Sequence, residues 1–403
     1  MNSYHKIRTL SFILIGGSII AAIFSLMALH GHHAPYPFDF YQRPELIYYA
    51  DFTTVWLPAY DHNPYPLLGI YFPFAYVPFF LFKHCAINAA LYSYFSVFLI
   101  GFGLFNYHFF IDKKIRFSEK PCYYLQVMSF PILAYPVLFC LQRGNIDTLI
   151  FIFTCLFVIH FQKKHFLLSI LWLAMATAMK GYPGIFSLLF LSNKRYEDFF
   201  IFIAATLGLT VLSLVLFKGP ILTNLSLLLR NLNGFNDQLM LSNLSMQHNS
   251  SLYEFFKTFY LMTQRIPWNP YYPTCTITTG YYSIIALILL TGISIYVIFY
   301  EKILWRQLTV LTTSILLLPQ IALDYRQLLL FLPIYYFVNA NDTFHRQQEL
   351  FYTILFGLLL IPKNYVFLYG EISISNALNT ILLLTLTLSI MRNGLAAQRS
   401  IAH

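Results

Sequence analysis

Long apolar runs separated by short polar connections dominate the chain. A transmembrane helix needs about 20 mostly apolar residues, and shorter runs can cross only if they tilt, break or extend into their flanks. The pattern predicts an all-α polytopic membrane protein with about 11–13 transmembrane helices in a single integral membrane domain over residues 1–403. The runs lie near residues 9–29, 86–111, 122–140, 146–161, 166–179, 182–192, 198–217, 280–300, 307–323, 327–339, 349–362 and 375–391.

The connections between the runs differ in charge. Short basic connections, such as 112–120 and 193–195, alternate with connections that carry most of the unusual polar sequence. Because Lys and Arg accumulate on the cytoplasmic side of membrane proteins, we expect the basic connections inside, together with the N-terminus. This assignment requires residues 68–82, which are apolar but rich in proline, to be re-entrant or interfacial rather than a full span.

Composition supports the membrane prediction and removes one function class. The 403 residues are 58% hydrophobic and only 10% charged, whereas soluble domains carry about 25% charged residues. The net charge of +9 is spread over small clusters between the apolar runs. We therefore expect the lipid bilayer as a partner, and no nucleic acid.

Asp51 is an isolated acid in an aromatic stretch of the first long outer connection. The connections 30–67 and 218–279 are rich in Tyr, Asn and Pro, so we expect ordered caps that contain short amphipathic helices. Asp51 lies within "LIYYADFTTVWLPAY" (46–60), where its carboxylate would be partly desolvated and could accept a proton from a hydroxyl group. The alternative is a helix cap or a surface acid.

Two basic residues lie at ends of apolar runs. Arg143, in "QRGN" (142–145), could bind a phosphate through two parallel hydrogen bonds, or could pair with Asp147 within one helix. Lys180 ends an apolar run just before Gly181 and Pro183. It could bind an anionic substrate or simply complement a helix dipole.

Further polar residues lie late in the chain. The stretch "NLSMQHNSSLYEFF" (243–256) could form a polar wall for a sugar, or its Asn and Ser residues could cap a helix. Arg326 follows Asp324 between two apolar runs, as a further cation or as half of a local ion pair. The histidines, cysteines and acids form no metal-ligand pattern, so we expect neither a metal nor another cofactor.

The order of these motifs resembles glycosyltransferase family 87, whose members are GT-C-type membrane enzymes typified by polyprenyl-phosphate-mannose-dependent α-mannosyltransferases. The resemblance runs from about residue 51 to about residue 335. It rests on Asp51-Phe52, "FAYVP" (74–78), "QRGN", "KGYP" (180–183) and "NSSL" (249–252). The chain departs from the family pattern at Val77, where the family usually has proline, and in "QRGN", where the family commonly has G-Q-x-N.

The resemblance implies a GT-C-type bundle in which the loops 30–67 and 218–279 form the catalytic cap. It implies transfer of a hexose, with mannose favoured, from a polyprenyl-phosphate donor to a glycan or glycolipid acceptor, with inversion. The expected place is the outer face of a bacterial inner membrane. By the resemblance, Asp51 would be the general base, and the donor phosphate would be bound by Arg143, Lys180 and Arg326. The remaining substrate-binding residues would be Asn145, Asn243, Gln247, His248 and Asn249.

Two other functions fit parts of the pattern. An O-antigen polymerase or ligase would act on undecaprenyl-diphosphate glycans and would depend on arginines rather than on an acid. A transporter or flippase for lipid-linked sugars would have internal repeats and polar residues near mid-span. The sequence has no such repeat and its polar residues gather at one predicted membrane face, so this alternative ranks last.

Overall fold

Helices dominate the computed structural model of the chain. Its short β-strands, Phe367–Tyr369 and Ile372–Ser373, pair antiparallel. The structure describes residues 3–29, 49–60, 63–67, 69–82, 84–111, 123–124, 127–128, 130–241, 246, 248–267, 269, 276–340, 346–369 and 372–402.

The α-helices follow the apolar runs, and shorter helices lie between them. They are Ser3–Leu29, Ala50–Tyr60, Ile87–Phe110, Tyr135–Arg143, Asp147–Gln162, Phe166–Met179, Leu188–Ser192, Tyr196–Leu216, Ile221–Leu241, Leu252–Thr263, Thr276–Ile295, Leu304–Leu317, Phe331–Asn339, Arg346–Leu360 and Ile374–Ala402. Tyr65–Leu67, Pro73–Phe82, Phe130–Leu133, Tyr182–Ser187 and Asp324–Leu330 are 3₁₀ helices, and Tyr296–Tyr300 is a π-helix.

Five helices of the described residues are long and apolar enough to cross a membrane. They lie at Ser3–Phe24, Ile87–Phe110, Tyr196–Leu216, Gly280–Tyr300 and Ile374–Ala396. Large apolar side chains on them are exposed, such as Leu207 and Leu287, as a lipid-facing surface requires. The predicted all-α polytopic membrane protein is confirmed, while the count of 11–13 crossings stays a prediction.

The chain divides into two compact units, each made of segments that are distant in sequence. The first unit comprises Met1–Leu46, Gly103–Gln142 and Leu241–His403, and the second comprises Ile47–Phe102 and Arg143–Met240. The expected single membrane domain over 1–403 stays a prediction.

In the first unit, the N-terminal helix packs closely against Arg346–Leu360. A Cβ atom added to Gly357 would lie 2.8 Å from Ile13 Cδ1, so a larger residue could not maintain this approach. Small residues at such contacts are typical of helix packing in membranes.

In the second unit, the Pro73–Phe82 segment rises about 20 Å over its length, because a 3₁₀ helix rises about 2 Å per residue. That is less than the roughly 30 Å of bilayer hydrocarbon. Asn231, in the helix Ile221–Leu241 of the predicted outer loop 218–279, binds the backbone of the residues that precede Pro73–Phe82. The Asn231 amide donates to the carbonyl oxygens of Tyr65 and Gly69 at 2.9 and 3.1 Å.

Candidate functional site

Asp51 lies in the first turn of the helix Ala50–Tyr60, in the second unit. An acid is favourable there because the helix dipole places partial positive charge at the N-terminus. The next residue, Phe52, is fully buried, and its ring lies 5.5 Å from that of Tyr94 and 5.6 Å from that of Phe79. The aromatic cluster therefore fixes the start of the helix and, with it, the Asp51 backbone.

The residues that contact the Asp51 carboxylate lie at a sharp break between two helices, at residues 144–146. The helix Tyr135–Arg143 ends at the arginine, and a new helix begins at Asp147. Gly144 has a φ of +62°, and a Cβ atom there would lie 2.7 Å from Phe52 Cβ. The Tyr94 hydroxyl donates to the Asn145 carbonyl oxygen at 2.6 Å and holds the break in place. Glycine is therefore needed both for its backbone conformation and for the close approach to Phe52.

Arg143 and Asn145 both donate to the Asp51 carboxylate. Arg143 Nη2 lies 2.6 Å from Asp51 Oδ1, and Arg143 Nε lies 3.3 Å from Oδ2. Asn145 Nδ2 lies 2.6 Å from Oδ2. The Asp51 side chain is 13% exposed and that of Arg143 is 44% exposed. Asp51 is thus partly desolvated, as the sequence predicted, and the guanidinium group beside it remains accessible.

Lys180 forms a second ion pair at the same break. The helix Phe166–Met179 ends just before Lys180, whose backbone is extended. Lys180 Nζ lies 2.7 Å from Asp147 Oδ1 and 3.2 Å from Asn145 Oδ1, so Asn145 joins the two ion pairs. The structure therefore pairs Arg143 with Asp51 and Asp147 with Lys180, in place of the alternative Arg143–Asp147 pair within one helix.

This arrangement of two acids, two cations and one bridging amide can hold an anion and accept a proton. Arginine and lysine side chains near a carboxylate can stabilise negative charge that develops on a phosphate. A carboxylate with some solvent access can take a proton from a hydroxyl group. Asp147 was not among the predicted site residues, and its only sequence signal was its spacing of four from Arg143.

The other predicted site residues that the structure describes lie in the first unit. Arg326 Nη1 donates to the Ile321 carbonyl oxygen at 2.8 Å. The His248 ring lies 5.2 Å from the Phe139 ring. The Asn249 side chain donates to the Gln320 carbonyl oxygen at 3.0 Å. Asn243 and Gln247 lie outside the described residues.

The side chains of Asn249 and Ser251 make hydrogen bonds to backbone groups. Asn249 Oδ1 accepts from the backbone N–H groups of Ser251 at 3.1 Å and Ala322 at 2.9 Å. Ser251 Oγ accepts from the Glu254 N–H at 3.2 Å and caps the helix Leu252–Thr263. A direct sugar contact by Asn249 would have to replace some of these bonds, whereas the capping role expected of a Ser in this stretch is present.

A buried polar network in the first unit centres on Asp324. Its carboxylate accepts from the Tyr135 hydroxyl at 3.0 Å, the Ser250 hydroxyl at 2.8 Å and the Gln327 amide at 2.8 Å. Burial raises the pKa of the Asp324 carboxyl group, while these hydrogen bonds oppose the rise. The sequence pointed to a turn at Asp324 but gave no sign of these partners, which are up to 189 residues away.

Comparison with known proteins gives one match. A family model described as glycosyltransferase family 87 matches residues 63–322, more than half of the chain. No curated protein and no solved structure matches the chain. The matched range includes Arg143, Asn145 and Lys180, whereas Asp51 and Arg326 fall outside it.

Proposed function

The chain belongs to glycosyltransferase family 87 and is a membrane glycosyltransferase, and from this premise we propose the reaction that it catalyses. The enzyme transfers a hexose, mannose first among the candidates, from a polyprenyl-phosphate donor to a glycan or glycolipid acceptor. The transfer takes place at the outer face of a bacterial inner membrane, and the configuration at the sugar carbon is inverted.

The observation that carries the proposal is the Asp51 carboxylate, with Arg143 and Asn145 as its hydrogen-bond donors. The acceptor hydroxyl oxygen attacks C1 of the hexose, and its proton passes to Asp51. The bond from C1 to the phosphate oxygen breaks, and polyprenyl phosphate leaves with the electron pair. A single displacement of this kind inverts C1 and needs one general base.

Arg143 and Lys180 offset the charge that grows on the departing phosphate. The Arg143 side chain is 44% exposed, so a donor phosphate can reach its guanidinium group. A phosphate that binds Arg143 competes with Asp51 for the same N–H groups, which leaves a carboxylate oxygen available for the proton. Arg326 is proposed as a third phosphate-binding residue. Asn145, Asn243, Gln247, His248 and Asn249 are proposed to contact the substrates.

The test is transfer by an Asp51→Asn variant. Purified protein in nanodiscs is given polyprenyl-phosphate mannose or glucose, radiolabelled in the sugar, with cell-envelope lipids and glycans as acceptors. We expect the variant to transfer about 10²- to 10⁴-fold more slowly, because an amide cannot act as the base. Asp198→Asn is the matched control, since it also removes a carboxylate from an ion pair of the second unit, 2.6 Å from Arg195 Nε.

Unchanged transfer by Asp51→Asn would remove Asp51 as the base. Loss of activity in Arg143→Ala without loss in Asp51→Asn would instead favour the arginine-dependent polymerase or ligase chemistry.

A further inference from the structure

We propose that Asp147 is a positioning residue of the transfer reaction. Through Lys180 and Asn145, it fixes the position of the Asp51 carboxylate. This inference rests on the proposed function, because it gives Asp147 a role in the same site. Asp147 would touch neither substrate and would act through the two side chains that it orients.

Asp147 and Lys180 join the ends of two packed helices. Asp147 begins the helix Asp147–Gln162, and Lys180 follows the end of Phe166–Met179, which packs against it. An acid at a helix N-terminus and a base at a helix C-terminus each complement the helix dipole. The Asp147 side chain is 2% exposed and that of Lys180 is 13% exposed, so the 2.7 Å ion pair is shielded from water. This shielding makes the position of the Lys180 ammonium well defined.

The ammonium group in turn determines which way the Asn145 amide points. Asn145 Oδ1 accepts from Lys180 Nζ at 3.2 Å and from the Asp147 backbone N–H at 3.0 Å. With its oxygen held on that side, the amide must present Nδ2 to Asp51, at 2.6 Å from Oδ2. A reversed amide would place its oxygen against the Asp51 carboxylate and its N–H groups against the ammonium. Both contacts would be repulsive, so the Lys180 charge selects the amide orientation that supports Asp51.

Asp147 supports the position of Asp51, but its charge also weakens the attraction of the site for an anionic donor. Its negative charge lies 2.7 Å from Lys180 Nζ, so it offsets part of the positive charge available to an anionic donor. Lys180 Nζ also lies 5.2 Å from the centre of the Tyr71 ring, a contact that would remain without Asp147. Removal of the Asp147 charge should therefore loosen the Asn145–Asp51 geometry without weakening the attraction of the site for phosphate.

The test is Asp147→Asn, with transfer and binding measured separately. We expect kcat to fall about 10- to 100-fold, since small displacements of a reacting group cost rates of this size. We expect farnesyl phosphate, as the binding probe in detergent, to bind the variant as tightly as the wild type or more tightly. A merely structural defect would weaken binding as well. Asp198→Asn again serves as the control and should leave both measurements unchanged.

A double-mutant cycle identifies the route of the effect. If Asp147 acts through Lys180, Asp147→Asn should lower kcat by less than twofold in a Lys180→Met background, although it lowers kcat strongly in the wild type. Equal losses in the two backgrounds would overturn the inference. If Asp147→Asn does not yield monodisperse protein, Asp147→Glu takes its place in the double-mutant cycle alone, because it displaces the carboxylate by one methylene group but keeps the charge on which the binding expectation depends.

Failure of this inference can be told apart from failure of the proposed function. Wild-type protein that transfers neither mannose nor glucose would overturn the proposed function, and the role of Asp147 with it. Wild-type protein that transfers either sugar, while Asp147→Asn stays within twofold of its kcat, would overturn the Asp147 inference alone.

Discussion

At the scale of single residues, Gly144 brings Arg143 within reach of Asp51. Any other residue there would adopt a left-handed backbone conformation, at a cost of about 1–2 kcal/mol. It would also carry a Cβ atom 2.7 Å from Phe52 Cβ. The two effects act on the same contact, because Phe52 directly follows Asp51.

Gly144→Ala should therefore lower both stability and activity. We expect a lower midpoint of thermal unfolding in detergent and at least a tenfold loss of transfer, because the break must move away from Phe52. Gly208→Ala is the matched control, since a Cβ atom there has no neighbour within 4 Å and alanine favours the helix. A Gly144→Ala variant as stable and active as the wild type would contradict this account of the break.

The sequence singled out the residues of the candidate site individually, but it did not predict their pairing. Sequence context singled out Asp51, Arg143, Asn145 and Lys180, and the structure brings these four together in the second unit. Asp147 was considered only as a helical neighbour of Arg143, since a spacing of four implies one continuous helix. The φ of +62° at Gly144 breaks that helix, and the partners that result are 33 and 92 residues apart in sequence.

At the scale of elements, the cap of the helix Leu252–Thr263 gives a stability prediction. Ser251 Oγ accepts from the Glu254 N–H at 3.2 Å and donates to the Gln320 carbonyl oxygen at 3.1 Å. Ser251→Ala removes both bonds and should cost about 1–2 kcal/mol of stability. Thermal unfolding in detergent measures the loss.

Thr263→Ala provides the control for this cap. Thr263 lies at the other end of the same helix, where its exposed hydroxyl group donates to the Tyr260 carbonyl oxygen. An exposed substitution of this kind should change stability by less than about 0.5 kcal/mol. Equal effects of the two substitutions would mean that Ser251 does not act as a cap.

Apolar runs predicted helices well where they were long and regular. Ile87–Phe110 and Tyr196–Leu216 follow the runs 86–111 and 198–217 closely. The run 182–192 instead forms a 3₁₀ helix, with Pro183 in its first turn, followed by a five-residue α-helix. Hydrophobicity marks where a segment is buried in lipid or protein, but it does not fix the hydrogen-bond pattern of a short segment.

At the scale of the whole molecule, the family and the fold class were accessible from sequence, whereas the two units were not. Each unit joins segments separated in sequence by about 40 residues or more, and the boundary between Gln142 and Arg143 lies one residue before the break at Gly144. The Asp324 network in the first unit likewise joins Tyr135, Ser250 and Gln327. Apolar periodicity describes one helix at a time, so it carries no information about such long-range partners.

The membrane topology can be tested with a cysteine that the chain already has. Cys85 is exposed and follows the Pro73–Phe82 segment. If that segment is re-entrant, Cys85 lies outside and a membrane-impermeant maleimide should label it in intact cells. If the segment crosses the membrane, Cys85 lies inside and labelling requires permeabilised cells. The other cysteines are replaced by serine, so that the label reports on Cys85 alone.

A second position makes either result decisive. Lys163 is exposed in the basic connection after the helix Asp147–Gln162, which charge places inside. Lys163→Cys, introduced together with Cys85→Ser, should therefore be labelled only after permeabilisation. A full crossing by Pro73–Phe82 would reverse the parity of all later segments, so the two labels would exchange sides. The re-entrant topology keeps the basic connections inside, and reversed labelling at both positions would overturn it.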